Sequence, residues 1–147
     1  MLAKLQERRS TLKDESAFTL IELLVVLIII GVLLAIAIPS YLGFQKKAQQ
    51  TAAASDVREA IPDATAYYSD NNDYSSMDIT ALQGYDNGLQ QYSAGPPEVP
   101  GILTVKGGAT EYCISAQDGT NYASVIGPGG QVKSGETSDT CAGWTPA

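Results

Sequence analysis

Few side chains in this sequence could do chemistry of their own. There is no histidine, which removes the usual general base, the Ser/His/Asp and Cys/His nucleophile pairs and the commonest metal ligand together. The two cysteines, Cys113 and Cys141, lie far from any CxxC spacing. In an exported chain such an even count reads first as a disulfide, the alternative being two buried free thiols. The run Ser69-Asp70-Asn71-Asn72-Asp73 invites a calcium reading, but Asp70, Asn72 and Tyr74 fail the third ligand position of an EF-hand loop and no glycine follows. It reads instead as a helix stop, because Asn and Asp compete with helical hydrogen bonds and tolerate left-handed turns. No nucleophile, base or metal constellation can be assembled, so the reading is non-enzymatic, with no cofactor and no metal expected.

The residue that does call for a chemical explanation is Glu22. It is the single charged side chain in Leu20 to Ile38, LIELLVVLIIIGVLLAIAI. Nineteen residues at about 1.5 Å each span the roughly 30 Å of a bilayer's hydrocarbon, so this is a membrane segment. It is about twice a secretory h-region, and Ala35-Ile36-Ala37 is the nearest imitation of a signal-peptidase site. A carboxylate at a bilayer's centre costs about 2.5 to 3.5 kcal/mol on insertion scales, and Glu22 stands within a turn or two of the segment's start. One reading is a side chain snorkelling to the interface. The other is a cation partner: a chain cut just before Phe18 would expose an α-amino group four residues away, able to meet Glu22 of a neighbour in a bundle of parallel helices.

Charge sets the orientation. Lys4, Arg8, Arg9 and Lys13 precede the segment, whereas Lys46 and Lys47 alone follow closely. The positive-inside bias keeps the N-terminus cytoplasmic and sends the C-terminus out, into surroundings that permit a disulfide. From Phe18 onward thirteen acidic residues face five basic ones, so bulk nucleic-acid binding is not expected, since phosphate neutralisation needs clustered Lys and Arg.

Ala17-Phe18-Thr19-Leu20-Ile21-Glu22-Leu23-Leu24-Val25-Val26, with basic residues upstream and Pro39 downstream, resembles the class III signal of type IV pilins and pseudopilins. The resemblance covers residues 8 to about 50. It implies that a membrane-embedded prepilin peptidase cuts between Ala17 and Phe18 on the cytoplasmic side and that the new N-terminus, Phe18, is methylated. It implies too that Glu22 promotes docking into a growing filament. Family leaders usually end in Gly, whereas this one ends in Ala17, its closest steric substitute. Gly31 and Pro39 are the helix-weakening residues of the apolar run; Pro39 removes an N–H and bends the helix, or the bend is simple packing. The resemblance implies that the stretch between them loosens when subunits leave the membrane for the filament.

Behind Pro39, SYLGFQKKAQQTAAASDVREA is rich in good helix formers, so the helix continues outward. Ala53, Val57, Ala60, Ile61, Ala64 and Tyr68 fall at the spacing of an apolar stripe. Pro62 kinks this helix or starts a separate final turn. Residues 74 to 101 read as a variable, exposed loop punctuated by Gly84, Gly88, Gly95-Pro96-Pro97 and Pro100-Gly101. Ile102 to Val105, Glu111 to Ala116, Tyr122 to Ile126 and Gln131 to Lys133 read as short strands of an antiparallel meander, one face of which the stripe must cover. Cys113 falls in the second strand and Cys141 in the final coil; the resemblance also implies a C-terminal disulfide. The eight tyrosines read as ordinary packing.

The expected fold is therefore α+β: a long N-terminal hydrophobic helix packed on a small antiparallel sheet of three or four strands, closed by a C-terminal disulfide. The segments are a cleaved cytoplasmic leader over 1–17, a transmembrane and filament-core half-helix over 18–38 and an amphipathic half over 39–69. A connecting loop follows over 70–101, then the sheet and tail over 102–147. The function implied is a structural subunit that polymerises with itself, its partners being the prepilin peptidase, an inner-membrane assembly platform and, before assembly, the membrane. Within that class it is a major pilin of an adhesion or motility pilus, a minor pilin, or a pseudopilin of a secretion or DNA-uptake system. An unprocessed single-pass anchor for a binding domain, with Glu22 an accident of the interface, is the reading from a different class.

Overall fold

A computed structural model describes residues 18–93 and 99–146; the expected leader, Ala17 included, and Gly95-Pro96-Pro97 lie outside these described residues. The chain divides after Leu42 into two compact units. Helix α1, Leu20–Asn71, is the element common to both.

Over its first unit α1 exposes every side chain from Leu20 to Leu42. Among them Leu20 is 80% exposed and Ile36 69%. An all-round aliphatic surface of this kind is stable only in lipid or against other apolar helices, and a helix meets the lipid requirement that backbone groups bond within their own segment. The helix is long and apolar enough to cross a membrane. Gly31 and Pro39 lie within it, and it remains helical past both.

In the second unit α1 buries Ala53, Ala54, Val57, Ala60, Ala64 and Tyr67, with Ile61 packed alongside. This corrects the end of the expected stripe: Tyr68 is 39% exposed and Tyr67 takes the buried position. At about 100° per residue, Tyr67 lies nearer the line through Ala53, Ala60 and Ala64 than Tyr68 does. Pro62 starts no separate turn, and α1 continues to Asn71. Its ring faces the carbonyl of Arg58, and both residues are exposed, so water can take the bond that proline cannot. The helix stops where expected: Asn72 adopts φ 58° and its N–H bonds the Tyr68 carbonyl at 2.8 Å, a left-handed cap that asparagine tolerates.

The connector is not the exposed loop expected of it. Tyr74, Met77, Leu82 and Leu89 are all buried in the core, and Ile79–Gln83 forms a one-turn helix, α2. Asp78 caps α2, accepting the Ala81 N–H at 2.7 Å. Gly84 and Gly88 do lie in turns, whereas Gly101 opens a strand; the punctuation concealed these anchors, whose spacing follows no regular period. The connector presses so closely on the sheet that a Cβ on Gly107 would lie 1.6 Å from the Tyr74 carbonyl oxygen.

Four strands follow, β1 Gly101–Gly107, β2 Tyr112–Asp118, β3 Asn121–Gly127 and β4 Lys133–Glu136. They pair antiparallel in the order β1-β2-β3-β4, the expected meander. The fourth is displaced: Gln131 and Val132 precede it and pairing begins at Ser124 with Lys133. The β-propensity of Val132 yields here to the long turn Gly127-Pro128-Gly129-Gly130. Strand β2 is buried from Tyr112 through Ala116, so both faces of the sheet are covered. Tyr112, Ile114 and Ala116 join the core beneath α1. Cys113 and Ser115, alternating to the other face, are covered by the C-terminal tail.

Candidate processing and assembly site

The start of α1 is built by Thr19 and Glu22. The Thr19 N–H and Oγ1–H donate to Glu22 Oε2 at 2.9 and 2.7 Å, and the Glu22 N–H donates back to Thr19 Oγ1 at 3.3 Å. This is a capping box: it satisfies helix-terminal N–H groups that would otherwise face an apolar surface. The sequence carries the signal, a Thr followed three residues later by Glu before an apolar run, and the readings of Glu22 as a snorkelling side chain or an intermolecular partner both pass over it. Both bonds fall on one oxygen, and Oε1 accepts none among the described residues. Phe18, 71% exposed, directly precedes the box. The arrangement therefore presents a carboxylate, half engaged by its own helix, one turn from the position at which a cut would create an amine. Ala17, the other side of that bond, is outside the described residues.

Nothing lies within 4 Å of a Cβ built on Gly31, so no packing within the single chain demands glycine there. Whatever Gly31 does belongs to backbone freedom or to the close approach of another helix.

Cys113 and Cys141 are bonded, with Cα atoms 5.6 Å apart, as expected. Sequence reasoning missed their companion. Asp139 accepts the Ser115 and Thr104 hydroxyls, each at 2.5 Å, and the Cys141 N–H at 2.9 Å, and Lys106 Nζ donates to the Ala142 carbonyl. Three donors from two strands and the tail converge on one carboxylate. No local spacing announces this, because the partners are 35 and 24 residues away in the chain.

A third feature is electrostatic. Asp56, Glu59, Asp63 and Asp70 lie along one line of α1. Burial first, then the neighbouring Glu59 and Asp118, push the Asp56 carboxyl above its ordinary range. Burial, Asp86 and Glu59 do the same to Asp63, whose Oδ2 is buried without a hydrogen-bond partner. A carboxyl raised in the folded state is ionised in both states at neutral pH and costs stability there. That cost disappears as pH falls through the folded value to the unfolded one. Asp56→Asn is therefore expected to raise the melting temperature at pH 7, with the gain vanishing below about pH 4, where the unfolded carboxyl also protonates. Thermal melts of both chains at the two pH values check this.

Residues 12–38 match the prokaryotic N-terminal methylation motif. The chain is 32% identical over 108 residues to the type IV wide pilus major component PilA4 of Thermus thermophilus, covering 71% of this chain and 75% of that one. It is 35% identical over 92 residues to the type II secretion system core protein G of Aeromonas hydrophila, covering 63% and 58%. With the type IV major pilin protein PilA of Myxococcus xanthus it shares 40% identity over 60 residues, which span 27% of that longer protein. No solved structure matches. The chain belongs to the type IV pilin and pseudopilin family. It is a pilin or pseudopilin subunit, the class that the exposed apolar helix, the small meander and the C-terminal disulfide define.

Proposed function

We propose that this chain is a non-catalytic structural subunit, made as a membrane precursor with its N-terminus in the cytoplasm and its C-terminal unit outside. The peptide bond between Ala17 and Phe18 is hydrolysed by a prepilin peptidase, and the freed α-amino group of Phe18 is methylated. An inner-membrane assembly platform then passes the subunit from the bilayer into a filament of its own copies. Helix α1 exchanges lipid for neighbouring helices, and residues Gly31 to Pro39 absorb the change in path.

The observation that carries this reading is the placement of Glu22. A membrane helix does not need a carboxylate in its first turn to cap itself, because Ser, Thr, Asp or Asn at the cap position suffices. Glu22 adds a negative charge whose second oxygen is open to another donor, at the one depth where a neighbour's new Phe18 amine would lie. In low dielectric, pairing the two offsets part of the cost of burying each. The similarity to the secretion-system core protein from Aeromonas supports a second reading, in which the same chemistry builds a pseudopilus, and both readings share every step above.

The test is to shear cells that carry the gene and cells that lack it, and to image the released material by electron microscopy. Filaments reactive to antibody against this chain, present only with the gene, are expected. Finding the chain confined to the membrane fraction, with the sheared material unchanged, would contradict the reading.

A further inference from the structure

Helix α1 is charged differently on its two flanks within the second unit. Lys47 and Arg58 are eleven residues apart, which at about 100° per residue places them within about 20° of one line. Both are exposed. On the other side of the buried Ala53, Val57, Ala60 and Ala64 stripe run Asp56, Glu59, Asp63 and Asp70. Neither line is joined to an ion-pair partner among the described residues. The acidic line is in addition crowded, since Asp86 and Asp118 press on it from the connector and the sheet. Within one chain the two lines cannot meet, because they flank the packed face of one helix.

We propose that these flanks are the two halves of a heterologous docking surface between copies of this chain, the Lys47 and Arg58 flank of one helix lying against the acidic flank of the next. The inference rests on the filament reading above and adds to it the surface that orders the C-terminal units. Complementary patches at different places on one subunit generate an open, helical assembly rather than a closed pair. The spacing also sets a register. Lys47 to Glu59 and Arg58 to Asp70 are each separated by twelve residues, so one axial stagger of about 18 Å brings both pairs together at 1.5 Å per residue, between copies other than those whose Phe18 and Glu22 meet. A cation delivered by the neighbour also relieves the like-charge crowding that the single subunit leaves unrelieved.

The full chain, expressed in cells, supplies the test. Reversal of one flank, Lys47→Glu with Arg58→Glu, is expected to lower the yield of sheared filaments at least about threefold, since two attractive exposed pairs become repulsive. Reversal of the other flank, Glu59→Lys with Asp70→Lys, is expected to do the same. Immunoblots of the membrane fraction and retention of the Cys113–Cys141 bond show that each variant is made and folded. All four changes in one chain restore complementarity in every copy, and the yield is expected to recover. Filament yield equal to the unaltered chain with either flank reversed would overturn the proposal, as would failure of the four-site swap to exceed the single-flank variants. Absence of filaments from the unaltered chain would instead remove the filament reading, and this surface with it.

Discussion

Glu22→Ala is expected to remove this chain from sheared filaments altogether while leaving its amount in the membrane unchanged. The carboxylate has one task within its own helix, where it accepts from the Thr19 N–H and hydroxyl on Oε2; the proposed assembly gives it a second, as the charge partner of a neighbouring amine. A capping box tolerates Gln in place of Glu, so Glu22→Gln keeps the helix start and loses only the charge. Thr19→Val does the reverse, and a lost cap costs about 1 kcal/mol. If intermolecular charge pairing drives docking, Glu22→Gln fails like Glu22→Ala, and Thr19→Val still assembles. Assembly by Glu22→Gln together with failure of Thr19→Val would assign the residue to helix capping instead. Quantitative blots of sheared and membrane fractions distinguish the two.

Cys113→Ser with Cys141→Ser is expected to lower the melting temperature of the C-terminal unit by more than about 10 °C. Closing a loop of this size contributes about 3 to 4 kcal/mol by chain entropy, and each kcal/mol moves a domain of about 100 residues by several degrees. The bond fixes the tail over Cys113 and Ser115, the face of β2 turned away from α1. Asp139 shares the task. Its removal leaves the Ser115 and Thr104 hydroxyls and the Cys141 N–H without their acceptor, at about 1 to 3 kcal/mol for a buried unmade bond. Asp139→Ala should therefore destabilise the oxidised chain as well, with the disulfide intact. Calorimetry of the three chains in detergent measures both effects; an unchanged melting temperature in the double serine variant would show that the tail contributes nothing to the unit's stability.

Features governed by a local period were legible in the sequence, and features governed by long-range convergence were not. The aliphatic run from Leu20 to Ile38, the stop at Asn72 and the three hairpin turns follow from composition, helix-capping and turn chemistry acting within a few residues. The stripe was read correctly at Ala53, Val57, Ala60 and Ala64 and missed by one position at its end. There Tyr67 is buried with its ring edge-on to Tyr85, whereas the half-exposed Tyr68 packs on the ring of Tyr74. Tyr74, Met77, Leu82 and Leu89 were invisible as core because an irregular segment has no period from which burial can be inferred. The disulfide could be expected from two cysteines in a chain whose charge pattern reads as sending its C-terminus out, whereas the role of Asp139 requires knowing that β1, β2 and the tail meet.

At the start of α1, the cost of a charge in an apolar helix singled out Glu22, and its partner Thr19 was legible in the same Thr-to-Glu spacing. The same residues serve both views. In the proposed assembly, the box that closes the helix start also holds the carboxylate toward the amine of a processed neighbour.

The central claim is that this chain assembles only after its N-terminus has been remade at Phe18. Intact-mass measurement of the subunit recovered from sheared filaments tests it most directly. The account predicts a chain that begins at Phe18 and carries one added methyl group. A filament subunit that retains Met1 would contradict it.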